Sequence, residues 1–116
     1  MATTSKDKSV RVYVFDGTEA EWREWKSKTL SLAKVKGIKQ ILTKDLVIPT
    51  DAEYMATEPV CSDAAKALYE LNDTAFSYLN MSVKSRAFPY VDGAKSTSWE
   101  DGNAREAWKR LCKRYE

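Results

Sequence analysis

The chain has 116 residues, 43% hydrophobic and 31% charged, enough for one compact domain and too few for two ordinary ones. Nineteen Lys and Arg against seventeen Asp and Glu leave a net charge of +2, too little to make sequence-independent nucleic-acid binding the default expectation. No run approaches the ~20 apolar residues of a membrane span, the start is polar with no apolar signal core, and histidine, the commonest neutral-pH base and metal ligand, is absent.

Residues 1–8 are small or charged and read as a disordered tail, with a single helical domain over 9–116. Val10, Val12 and Val14 then alternate with Arg11 and Tyr13 before Phe15, a short extended segment. Its local partner is predicted to be Leu46, Val47 and Ile48; the alternative is an arm lying on the helices or on a neighbouring chain. Asp16-Gly17 makes a turn, and Thr18 with Glu21 reads as a capping box that opens the first helix. Trp22, Trp25, Thr29, Leu32 and Ala33 share one face of that helix, and Gly37 ends it. Ile38, Ile41 and Leu42 predict a second, shorter turn of helix.

Thr50 and Glu53 form another capping box, which predicts a short helix over Thr50 to Thr57, stopped by Pro59. The longest helix is predicted from Ser62 to about Val83, with Ala65, Leu68, Tyr69, Leu71, Ala75, Phe76 and Leu79 on its inner face. Asn72 sits within that face and needs a hydrogen-bond partner. The stretch from Arg86 to Gly102, broken by Pro89, Gly93 and several Ser and Thr, reads as a long loop carrying Phe88, Tyr90 and Trp99. Asn103 and Glu106 cap the last helix. Its apolar side holds Ala104, Trp108, Leu111, Cys112 and Tyr115, and Lys109, Arg110, Lys113 and Arg114 lie opposite. The expectation is an all-α bundle of about five helices whose core includes Trp22, Trp25, Leu32, Leu68, Phe76, Leu79, Trp108, Leu111 and Tyr115.

No pattern in the chain marks a catalytic, cofactor or metal site. Glu19, Glu21 and Glu24 suit the start of a helix, where the macrodipole favours negative charge. Asp45, Asp51 and Glu53 lack the mid-loop Gly of a calcium loop, and the three Asp-Gly turns precede no Gly-Lys-Ser/Thr. Serines and lysines are plentiful, but no elbow singles one out as a nucleophile. Cys61 and Cys112, in no metal-like spacing, read as reduced thiols of a cytoplasmic protein, with a disulfide between them as the alternative. Two surfaces remain. Lys109, Arg110, Lys113 and Arg114 form a candidate RNA contact, weighed against a plain solvated face. Phe88, Tyr90 and Trp99 form a candidate partner-binding loop, weighed against packing over helix ends.

Three stretches together resemble the Gag polyprotein of copia-type LTR retrotransposons. Phe15-Asp16-Gly17 followed by Glu21-Trp22-Arg23-Glu24-Trp25-Lys26 is similar to that family's aromatic-x-Gly turn and Trp-bearing helix. Asp63-Ala64-Ala65-Lys66-Ala67-Leu68 looks like its middle helix. The run from Ala104 to Tyr115 resembles its Ala-x-x-Ala-Trp-x-x-Leu-x-x-x-Tyr signature, the most specific of the three. This chain has two more residues between Gly17 and the Trp pair than the family pattern, and no Cys-Cys-His-Cys knuckle. The resemblance implies the N-terminal capsid domain, retroviral-capsid-like in fold, with a second capsid domain after Glu116. It implies copies assembling into virus-like particles around retroelement RNA, with the RNA held by other regions of the polyprotein and with no cofactor, membrane or small-molecule substrate. A host-retained adaptor that binds a protein or peptide is the alternative, and RNA binding through the last helix a further one.

Overall fold

Six α-helices form among residues 13–56 and 62–116, the residues that the computed structural model describes. They are α1 (Trp22–Lys36), α2 (Lys39–Thr43), α3 (Asp51–Met55), α4 (Asp63–Met81), α5 (Phe88–Asp92) and α6 (Ala104–Tyr115), with 3-10 turns at Glu19–Glu21 and Ser85–Ala87. The all-α bundle expected from the sequence is therefore observed, and the described residues pair in the manner of strands only at one isolated bridge. The 1–8 tail, Val10, Val12, Pro59 and Cys61 lie outside the described residues.

That bridge corrects the predicted pairing of the extended segment. Phe15 N donates to Ser82 O and Lys84 N donates to Phe15 O, both at 2.9 Å, so Phe15 pairs in the parallel sense with the exit of α4 rather than with Leu46–Ile48. The physical reason is the Phe15 side chain, which is fully buried and brings its own backbone with it. The start of α1 also departs from expectation, because Thr18 makes no side-chain cap. Its N–H and hydroxyl both donate to Asp16 Oδ1, at 2.9 and 2.6 Å. These two bonds hold the Asp16 carboxyl below its ordinary range, and the local turn outcompetes the capping box.

The other caps form as read. Gly37, at φ +78°, ends α1. At α3 the reciprocal Thr50–Glu53 bonds are both present, but the helix is shorter than predicted, with Ala56 already extended. Ser62 Oγ accepts from Ala65 N at the start of α4. The inner face of α4 is Asn72, Ala75, Phe76, Tyr78 and Leu79, so Tyr78 replaces Leu71, which is 36% exposed. Asn72, Ala75, Phe76 and Leu79 hold the centre of the stripe as read, and on its flank burial falls at Tyr78, two turns beyond Leu71 on the same side of the helix. The predicted loop from Arg86 to Gly102 also contains α5. Pro89 stands in the first turn of that helix, where its missing N–H costs nothing.

α6 packs against α2, α4 and α5, and the burial of Ala104, Ala107, Trp108 and Leu111 explains its central position. α1 reaches it through rings. Phe15, Trp22, Trp25, Trp108 and Tyr115 form one aromatic cluster with neighbouring centroids 4.8–6.3 Å apart. Aromatic pairs at such distances contribute roughly 0.5–1.5 kcal/mol each beyond area burial. Of the other expected core residues, Phe76, Leu79 and Leu111 are buried, while Leu32, Leu68 and Tyr115 are half-buried against the hydrophobic core.

Asn72 finds its partners at the entrance to α6: its Nδ2 donates to Gly102 O at 3.1 Å, and its Oδ1 accepts from Ala104 N at 2.8 Å. Gly102 sits at φ +105°, and a Cβ there would land within the Phe76 ring. Replacing Asn72 by Ala orphans two buried backbone groups, and a loss of about 1–3 kcal/mol for each is expected in urea unfolding. Trp108→Ala is expected to remove roughly 3–5 kcal/mol of the ~5–15 kcal/mol that holds a domain folded, read as a lowered melting temperature or outright unfolding.

Candidate functional site

The cationic side of α6 is set by what anchors the helix. Asn103 Oδ1 caps its start by accepting from Glu106 N at 2.9 Å, and Arg105 donates to Leu42 O and Asp45 Oδ1 at 2.6 and 2.8 Å. With Trp108 and Leu111 turned inward, Lys109, Arg110, Lys113 and Arg114 are left exposed. Three of these four cations already have carboxylate partners. Lys109 reaches Asp45 at 3.2 Å, Arg110 reaches Glu106 at 2.9 Å, and Arg114 reaches Glu19 at 3.1 Å while also donating to the Tyr90 hydroxyl. Arg105 and Lys109 hold the Asp45 carboxyl below its usual range, and Glu19 followed by Tyr90 raises the Arg114 guanidinium. Lys113 makes no ion pair among the described residues. These pairs are solvent-exposed and stabilise the fold little, but each one offsets positive potential that a phosphate would otherwise meet.

The three aromatics read as one loop are placed differently. Phe88 and Tyr90 lie on α5, where Phe88 is 38% exposed and Tyr90 meets the edge of Tyr115 at 6.0 Å. Trp99 lies in the turn before α6, half-buried, and its indole N–H donates to Pro49 O at 2.8 Å. Trp99 thereby ties that turn to the start of α3, and it lines a groove of about 470 Å³ with Ile48, Ala94, Arg105 and Lys109. Val47 stands at the rim of the groove, 87% exposed.

The remaining candidates are dispersed. Glu19 and Glu24 are ion-paired, the latter with Lys28 at 2.9 Å, and Asp51 accepts from Tyr69 Oη and Glu100 N. No group of three or more Cys, Asp or Glu side chains is placed to hold a metal among the described residues. Burial pushes the Cys112 thiol up. The Thr29 and Tyr78 hydroxyls are buried without a hydrogen-bond partner, and burial raises the Tyr78 phenol. No Asp, Glu, Lys or Arg among the described residues is buried, and none of the described helices is long and apolar enough to cross a membrane.

One surface escaped the sequence reading: an acidic side built from Asp51, Glu70, Asp73 and Asp101 across α3, α4 and the turn before α6. Its signal is a charge imbalance, six Asp and Glu against one Lys between Thr50 and Ser82. Asp73 is pushed up first by partial burial and then by Asp101 and Asp51, so these carboxylates feel one another.

No family model, curated protein or solved structure matches the chain. The class defined by the architecture is an all-helical domain with its charges kept at the surface.

With Lys113 the one cation of the four on the outer side of α6 that makes no ion pair among the described residues, labelled single-stranded RNA titrated against the chain is expected to bind weakly. The plot of log K against log salt should have a slope of magnitude below about 1, the mark of at most one phosphate contact. A slope several times steeper, lost when all four cations become Gln, would establish an RNA-binding face instead.

Proposed function

We propose that the chain is a capsid-type structural domain of a copia-like retrotransposon Gag polyprotein. In this reading, copies pack with one another into an intracellular, virus-like shell around retroelement RNA that other parts of the polyprotein hold. One observation carries the reading: aromatic residues from two of the three stretches of the resemblance belong to a single physical unit. Phe15, Trp22, Trp25, Trp108 and Tyr115 come from stretches at opposite ends of the sequence and stack on one another. Gly17, at φ +99°, lies so close to the Tyr115 hydroxyl and to Arg86 Cβ that an added Cβ would come within 3.0 and 2.8 Å of them. The aromatic-x-Gly turn and the terminal Ala-Trp-Leu-Tyr motif therefore answer one another in space, as parts of one inherited core would.

Assembly by such a domain works through multivalency. Each contact can be weak, because tethering many copies raises the effective concentration of the next encounter, and cyclic symmetry closes rings. The adaptor reading is favoured by a separate observation, the groove beside Trp99 and exposed Val47, which is large enough for a short extended peptide.

The expected outcome is a sedimentation coefficient that rises with concentration for the 116-residue chain, and closed particles by electron microscopy when the whole reading frame that contains it is expressed. Strict monomers in the first experiment and no particles in the second would remove the assembly reading. Stoichiometric capture of one unrelated polypeptide in place of self-association would favour the adaptor.

A further inference from the structure

The charges on this surface are segregated. Every ion pair among the described residues leaves out Asp51, Asp63, Glu70, Asp73 and Asp101. The acidic side is held instead by neutral donors. Tyr69 Oη donates to Asp51 Oδ1 at 2.6 Å, Tyr54 Oη donates to Glu70 Oε2 at 2.5 Å, and the two rings stack with centroids 4.1 Å apart. The result is a braced face whose carboxylates make no ion pair among the described residues, with Lys95 beside Asp73 and Asp101 at its edge, although the chain as a whole is +2. Positive charge is concentrated on α6, whose Arg105, Lys109, Arg110, Lys113 and Arg114 face three carboxylates, Glu106 within the helix and Asp45 and Glu19 paired to it from outside. There, Tyr90, Arg110, Lys113 and Arg114 line a shallow groove of about 360 Å³.

We propose that the acidic side of one copy, formed by Asp51, Glu70, Asp73 and Asp101, docks on the cationic α6 side of a second copy, formed by Arg110, Lys113 and Arg114 around Tyr90. The inference rests on the self-assembly reading and names its contact. Charge complementarity selects the occupant, since each chain carries both halves of the pair. Two acidic sides repel, as do two cationic ones, so like sides do not meet; a head-to-tail arrangement of the contact closes rings or runs on as open chains, and a two-fold dimer makes the same contact twice. The two sides share no residue. α6 begins beside the acidic turn and carries Lys113 roughly 15 Å further along its axis, so one chain can engage two neighbours at once. A bound cation is a poorer occupant, because these carboxylates are spread over a face and do not converge on a point.

Sedimentation velocity tests this with the wild type, an Asp73→Lys/Asp101→Lys variant and an Arg110→Glu/Lys113→Glu variant. Measurements are made at about 10 mM salt, where charges act over ~30 Å, and at about 1 M, where screening cuts this to ~3 Å. The wild type is expected to associate at low salt and dissociate at high salt. Each variant alone should associate at least about tenfold more weakly, while an equimolar mixture of the two should associate again, because one supplies a cationic side and the other an acidic side. That recovery also shows that both variants are folded. Either variant associating as the wild type does would overturn this contact and leave self-assembly standing. A wild type that stays monomeric at low salt would overturn the contact too, while particle formation by the full reading frame separately decides the wider reading.

Discussion

The stacking of five aromatic rings is the interaction on which the rest of the structure depends. Phe15, Trp22 and Trp25 enter from the first quarter of the chain and Trp108 and Tyr115 from the last helix, so the cluster closes almost the full length of the polypeptide. Once the rings meet, other features are obliged to follow. The backbone at Phe15 must find partners and takes them from Ser82 and Lys84. Residue 17 must be glycine, since Tyr115 and Arg86 leave no room for a side chain and the backbone there is left-handed. The Trp25 indole N–H must be satisfied at the edge of the cluster and donates to Tyr13 O at 2.7 Å.

A second constraint is polar. Asn72 is the buried group through which α4 dictates where α6 begins, because its amide serves Gly102 O and Ala104 N together. Rings alone would tolerate sliding or rotation of α6, whereas a bidentate amide has one good geometry. The rotation of α6 decides which side chains face solvent. A buried amide on α4 thus governs the position of the cations from Lys109 to Arg114, which are themselves trimmed by Asp45, Glu106 and Glu19.

Such a molecule offers its partners surfaces. Among the described residues the charged side chains all reach solvent, the groove beside Trp99 is open, and the two buried hydroxyls without partners lie inside the packed helices. The energetics suit repeated weak association, in which charge complementarity gives orientation and rate more than affinity. In the proposed assembly, segregation of acidic and cationic sides on one small domain would supply direction to the association. A uniformly mixed surface of the same net charge would not.

Local signals carried much of this in the sequence itself. The caps at Thr50, Ser62 and Asn103, the stop at Gly37 and the inward stripes of α1 and α6 follow from rules acting within about four residues, and so did the need of Asn72 for a partner. Tertiary packing decided the rest, wherever two local solutions were close in free energy. Asp16 captured the Thr18 donors that a capping box would have used, and Tyr78 displaced Leu71 from the core. The stretch around Pro89 became helical because Val91 could be buried and Tyr90 could lean on Tyr115. The acidic side was equally a product of packing, for it joins α3, α4 and the turn before α6, and charges remote in sequence become neighbours only when the chain has closed around its rings.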